Sequence, residues 1–276
     1  GDWSSDVCSS DLTMNVTDNA VLDGTSDATV LNLNAGGLTL GGANRFTSAA
    51  LAVTGSSGAS VSLGGDEAFG SLAGAANIAL GLGTLTVGGA DTSTSYAGVI
   101  SGAGGLRKTG LGTLELDGAS TFTGPTTILG GVVRLGASDA LSNSTAVAVN
   151  GGGFDLDAYS DTVGSVALTS GTISGSGKLT AATYALAGGR VSANLGAGTV
   201  NVTGNAALDG TSDATVLNLN AGGLTLGGAS RFTAAALAVS GSSGASVSLG
   251  GDEAFGSLAG AANVVLGANR LTVGGA

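Results

Sequence analysis

The sequence predicts an all-β chain wound as a parallel β-solenoid, elongated and with little or no helix. Three observations predict it. Aliphatic residues recur in pairs two apart, glycine-rich turns separate the pairs, and one long segment occurs twice.

The spacing of two defines the element. Leu31 and Leu33, Leu38 and Leu40, Leu51 and Val53, Val61 and Leu63, Ile78 and Leu80, and Leu85 and Val87 all follow it. Side chains two apart share one face of a β-strand. The residues between them are Asn, Thr, Ser or Ala, which suit the solvated face. Between the pairs stand Gly-Gly, Gly-Ser or Ala-Gly-Gly, turn residues that supply positive φ. No long segment carries a 3.6-residue apolar stripe, so helix is not expected. Residues 72–85 are apolar but broken by Gly74, Gly81 and Gly83, and read as two short strands. No run of 18 apolar residues occurs, so no transmembrane helix is expected.

The duplication sets the architecture. Residues 13–90 align without a gap to 199–276 at an offset of 186, with 67 identities and 11 differences over 78 positions. Self-similarity of this kind marks solenoids and arrays. Short strands with glycine turns could also build a sandwich or barrel. The uniformity of the chain, its 4% aromatic content and the return of aliphatics near coil-length intervals (Leu31, Leu51, Leu72) favour coil stacked on coil instead. At about 20 residues and about 4.8 Å per coil, this implies roughly 13 coils. Residues 13–276 are read as one continuous solenoid. The copies 13–90 and 199–276 flank a distinctive segment at 95–136 and further coils at 137–198. Such a stack has an open edge at each end; no capping pattern is evident, which fits a piece of a longer chain.

Composition excludes several classes. A hydrophobic fraction of 43% with 10% charged residues describes a folded chain. The net charge of −11 is scattered and no basic patch exists, so no nucleic acid partner is expected. An acidic surface keeps an elongated protein soluble.

Residues 1–12 are set aside. Residues 2–12 hold the only Trp and the only Cys, and back-translate to a common sequencing adapter. They are read as an artefact, which places the native sequence from about Thr13 onward. That part holds no cysteine, so neither a disulfide framework nor a thiolate metal site is expected.

The segment 95–136 carries a specific pattern. It reads SYAGVISGAGGLRKTGLGTLELDGASTFTGPTTILGGVVRLG. Gly104, Leu106, Lys108, Gly110, Gly112, Thr113, Leu114, Leu116, Gly118, Thr121, Phe122, Thr123, Gly124, Thr126, Ile128, Gly131, Val133 and Gly136 fall, without a gap, on the pattern of the autotransporter-associated β-strand repeat, which this segment closely resembles. Pro125, the only proline, follows Gly124 and fits a turn. The flanking copies resemble passenger sequence found around such repeats in large exported Gram-negative proteins.

The resemblance implies a right-handed, single-stranded parallel β-helix. It also implies export across the outer membrane, with display or release at the cell surface. The implied partners are a translocator barrel belonging to the same full-length chain and a host surface, glycan or like rod. In this reading Leu106, Leu114, Leu116, Ile128 and Val133 point inward. Thr113, Thr121, Thr123, Thr126 and Thr127 lie on exposed or half-exposed faces, and Phe122 packs inside or at a corner.

The chemistry-bearing residues are sparse. With no histidine, Ser-His-Asp and Cys-His arrangements and His-based metal sites are excluded. Solenoid enzymes that cut polysaccharides use clustered carboxylates, so the acidic pairs matter. These are Asp155 and Asp157 with Asp161 nearby, Glu115 and Asp117, and Asp66–Glu67 with its copy Asp252–Glu253. All are read as solvated outer-face residues. Carboxylates could also bind calcium, but the nonapeptide pattern of calcium solenoids is absent. No catalytic, cofactor-binding or metal residue and no cofactor is assigned. The function expected is a structural, adhesin-like passenger segment without catalysis. The alternatives are a β-helix polysaccharide hydrolase or lyase, and a module for rod self-association.

Overall fold

The computed structural model describes residues 12–274. The segment set aside at 1–12 lies outside the described residues, apart from Leu12. The chain divides into two compact units, Gly1–Thr145 and Ala146–Ala276. Among the described residues there is no helix, and every strand pairing is parallel.

In the first unit each coil has three sides. The first side stacks the strands Thr13–Val16, Val30–Leu33, Ala52–Gly55, Ser71–Gly74, Thr94–Tyr96, Thr113–Leu116 and Val132–Leu135. The second stacks Ala20–Leu22, Gly37–Leu40, Ser60–Ser62, Asn77–Ala79 and Ile100–Ser101. The third stacks Glu67–Phe69, Leu85–Val87, Leu106–Lys108 and Thr126–Ile128. Each coil thus meets the backbone groups of the next, as a parallel ladder requires.

The spacing of two does the inward sorting. Leu31, Leu33, Leu38, Leu40, Val53, Val61, Leu72, Ile78, Leu85 and Val87 are all buried. Leu106, Leu114, Leu116, Phe122, Ile128 and Val133 are buried as well. The stacking partners are not quite those the intervals suggest. Met14, Leu31, Val53 and Leu72 follow one another in register, giving coils of 17, 22 and 19 residues. Val53, not Leu51, stands between Leu31 and Leu72, because coil length varies with the turns. Leu51 is buried on its own account at the turn before that strand.

Close stacking dictates some residues at the corners. Gly74 has φ 89°, and a Cβ there would collide with the carbonyl of Gly55 in the preceding coil. Only glycine meets both demands. The buried Tyr96 hydroxyl is satisfied by donating to the Ala76 carbonyl.

The second unit is built alike. Its first three strands, Ala146–Asp155, Asp161–Ser174 and Lys178–Leu186, are longer and run on through corners, with register shifts after Val149 and Asn150. The duplicated segment then follows its original strand for strand. Thr199–Val202 matches Thr13–Val16, and so on to Leu271–Val273, which matches Leu85–Val87.

Candidate functional site

The carboxylate pairs do not converge. Asp155 ends its strand, while Asp157 sits in the turn beyond at φ 51° and is exposed. The Asp155 Oδ1 accepts the N–H of Asp157 at 3.1 Å and the hydroxyl of Ser174 at 3.3 Å. Asp161 opens the next strand and is buried, in register with Leu179. Phe154 is buried too, leaving Tyr159 as the part-exposed aromatic beside them. Glu115 lies outward between Ser95 and Arg134 of the neighbouring coils. Asp117 accepts the Ser95 hydroxyl. Ser93, Thr94, Ser95, Thr113, Glu115 and Arg134 line an open depression here. Among the described residues no group of three or more His, Cys, Asp or Glu is placed to hold a metal.

Three of the acidic residues correct the expected placement. Glu67, Glu253 and Asp161 are 2%, 4% and 2% exposed, not solvated. The two glutamates are drawn in because each stands two residues before a core phenylalanine, Phe69 or Phe255, and so shares its inward face. Burial raises both carboxyls above the usual glutamate range. Backbone N–H donors and a nearby arginine, Arg45 or Arg231, oppose this only in part.

The repeat segment holds three more buried polar residues, Lys108, Ser120 and Thr126. Thr126 was expected on an exposed or half-exposed face but is fully buried, because it is the register partner of Leu106 on the inward side. Lys108 is 1% exposed and stacks between Val87 and Ile128. Its Nζ donates to the Thr109 carbonyl at 2.6 Å. Burial lowers its pKa, and the charge of Asp91 partly restores it. The spacing Leu106-x-Lys108 was the cue that places Lys108 inside.

The outer face of the first side carries a polar ladder. Asn32 Nδ2 donates to Asn15 Oδ1 at 2.9 Å, and the Thr54 hydroxyl donates to Asn32 Oδ1 at 2.9 Å. The second copy repeats it. Asn218 donates to Asn201 at 2.9 Å, and Ser240 donates to Asn218 at 2.8 Å. These are coil-to-coil links between side chains that a solvated strand face presents in register.

Comparison with known proteins bears on the repeat. No curated protein and no solved structure matches the chain. Residues 106–135 match the family described as Passenger-associated-transport-repeat. This match, in a chain folded as a parallel β-solenoid, fits an autotransporter passenger domain.

Proposed function

We propose that this chain is a structural passenger segment of an exported bacterial surface protein, an adhesin-like spacer without catalysis of its own. The observation that carries the reading is the duplication. A 78-residue segment with 67 identities recurs at an offset of 186 and forms the same succession of strands each time. Copying coils lengthens a solenoid, whereas a catalytic centre gains nothing from being embedded in copies of its scaffold. The passenger repeat at 106–135 supports the same reading.

In this reading the working partners are a translocator barrel in the same full-length chain and whatever the displayed segment meets outside. A display experiment tests it. The chain, fused between an epitope and a surface anchor, should be exported and should hold the epitope farther from the membrane than the same fusion lacking 13–198. An unchanged distance, or release of sugar from acidic polysaccharides by the purified chain, would overturn the spacer reading.

Rod self-association is the second reading, and the repeated Asn–Asn–Thr and Asn–Asn–Ser ladders favour it. An uncharged polar face is where two acidic copies could approach without repulsion. Sedimentation of the purified chain over a range of concentrations distinguishes the two readings.

A further inference from the structure

One surface is covered in the first copy and uncovered in the second. In the first unit the strands Ser71–Gly74, Asn77–Ala79 and Leu85–Val87 carry a further coil. Tyr96 stands over Gly74, Ile100 over Ile78, and Leu106 and Lys108 over Leu85 and Val87. Backbone bonds fasten that coil. The Ala97 N–H donates to the Gly74 carbonyl at 2.7 Å, and the Thr109 N–H to the Val87 carbonyl at 2.9 Å. In return the N–H groups of Ile78, Leu80 and Leu85 donate to Val99, Ser101 and Gly105 at 2.9, 2.8 and 2.9 Å. The Tyr96 hydroxyl donates to the Ala76 carbonyl.

The last described coil of the second unit presents the same surface. Among the described residues, Ser257–Gly260, Asn263–Val265 and Leu271–Val273 pair only with the coil before them. Leu258, Leu266, Leu271 and Val273 repeat Leu72, Leu80, Leu85 and Val87, and Val264 takes the place of Ile78. Ala262 repeats Ala76. The corners turn alike, with φ of 95° and 60° at Gly260 and Gly267 against 89° and 60° at Gly74 and Gly81. Asn269 and Arg270 replace Gly83 and Thr84, and both reach back to the preceding coil. Asn269 donates to the Leu249 carbonyl at 2.8 Å, and the Arg270 guanidinium lies 4.0 Å from Asp252.

Natural sheet edges are blunted by charge, proline or a bulge. These three strands hold neither charge nor proline, and Leu258, Leu266 and Val273 are exposed. Such an edge takes up an extended segment through main-chain bonds, while side-chain pockets set which segment fits. Charge disfavours a second folded copy, because the chain carries −11 and like copies repel. The segment 91–109 sets Asp91 against Arg107 and Lys108, a net of +1.

We propose that the edge formed by Ser257–Gly260, Asn263–Val265 and Leu271–Val273 is a docking surface for an extended polypeptide segment patterned like residues 94–108. The pattern is a tyrosine, an aliphatic four residues on and a second aliphatic six further, with small residues and glycine between. The tyrosine hydroxyl meets the Ala262 carbonyl, and the two aliphatics cover Val264 and Leu271. Each side of the coil gains one parallel strand, so uptake lengthens the stack by a coil with no covalent link.

The probe is a synthetic peptide of residues 91–109, added to the whole chain and read by hydrogen exchange. Fragments running through Val264 and Val265 differ in mass from their counterparts holding Ile78 and Ala79, so the two copies are read separately. With peptide about tenfold above its Kd, exchange through 257–266 should slow about tenfold, while exchange through 71–80 should not change. The peptide carrying Tyr96→Ser, Ile100→Ser and Leu106→Ser should have no effect, and neither should the unaltered peptide on the chain variant Leu258→Asp. No slowing at about 1 mM peptide, or equal slowing by the substituted peptide, would overturn the proposal. So would a chain that sediments as a dimer with 257–266 already as protected as 71–80, since a second copy would then be the occupant. The two peptide arms leave the chain unaltered, so they decide the matter even where Leu258→Asp does not fold.

Discussion

Lys108 stands directly over Val87 of the preceding coil, an amine in register with an isopropyl group inside the stack. Its Nζ donates to the Thr109 carbonyl, which offsets part of the cost of burying a cation. A hydrogen bond from a charged donor contributes about 1.5–3 kcal/mol, while burying the ion costs several kcal/mol. Lys108→Met, of similar volume, is therefore expected to be neutral or stabilising by up to about 2 kcal/mol. Lys108→Ala leaves a cavity and is expected to cost about 2 kcal/mol or more. Urea denaturation of the two variants checks the order.

The same lysine gives a pH dependence of known sign. Its folded-state pKa is lowered from the ordinary lysine value by burial, with Asp91 acting the other way. Between the folded and the unfolded pKa the unfolded chain holds more protons. Stability from this group therefore rises as pH climbs through that window and is absent below it. The wild type should gain on Lys108→Met as the medium becomes alkaline. Denaturant midpoints that run parallel for the two proteins across that range would contradict the assignment.

Glycine separates strain from collision. Gly58 and Gly74 have φ of 91° and 89°. Nothing lies within 4 Å of a Cβ at Gly58, whereas one at Gly74 would strike the Gly55 carbonyl. Gly58→Ala should cost about 1 kcal/mol, for the backbone alone. Gly74→Ala should cost more than about 3 kcal/mol, because strain and overpacking add. Thermal unfolding of the two variants, near-equal in φ, makes the comparison.

The ladder Asn15–Asn32–Thr54 predicts a modest surface contribution. Asn32→Asp keeps an acceptor for Thr54 but removes the donor to Asn15. It should cost about 1 kcal/mol, and Asn218→Asp should match it, since Asn218 donates to Asn201 in the same way. Equal shifts in the local exchange of Val30–Leu33 and Val216–Leu219 would confirm that the two copies share one design.

Much of this fold was legible because a strand has the simplest of periods. Spacing of two sorted the Leu and Val residues correctly, and glycine marked the corners. The same rule was overridden by chemistry where it mattered. Glu67 and Lys108 stand two residues from Phe69 and Leu106, so the period puts them inside; Glu67 was instead assigned to solvent on its charge. Asp157 kept the spacing of a strand face but not its conformation, because the chain has already turned at φ 51°. The partner of Leu31 was missed because register follows turn length, and coils of 17 to 22 residues cannot be read from a single mean interval.

Identical side chains in the two copies give the last prediction. Leu72, Leu80 and Val87 are buried, covered by the coil that holds Tyr96, Ile100 and Leu106. Their counterparts Leu258, Leu266 and Val273 are 41%, 40% and 48% exposed. Around Leu72 and Leu258 the sequences are identical, from 66 to 77 and from 252 to 263, so there the difference lies in the neighbouring coil and not in the strand. Leu72→Ala removes packed atoms and should cost about 2–5 kcal/mol. Leu258→Ala loses only part of a leucine's burial and should cost about 1 kcal/mol or less. Stacked coils need not unfold in one step, so local exchange in Ser71–Gly74 and Ser257–Gly260 is the measurement. Equal costs at the two positions would mean that each coil carries its own stability, contrary to a stack held together by what lies next to it.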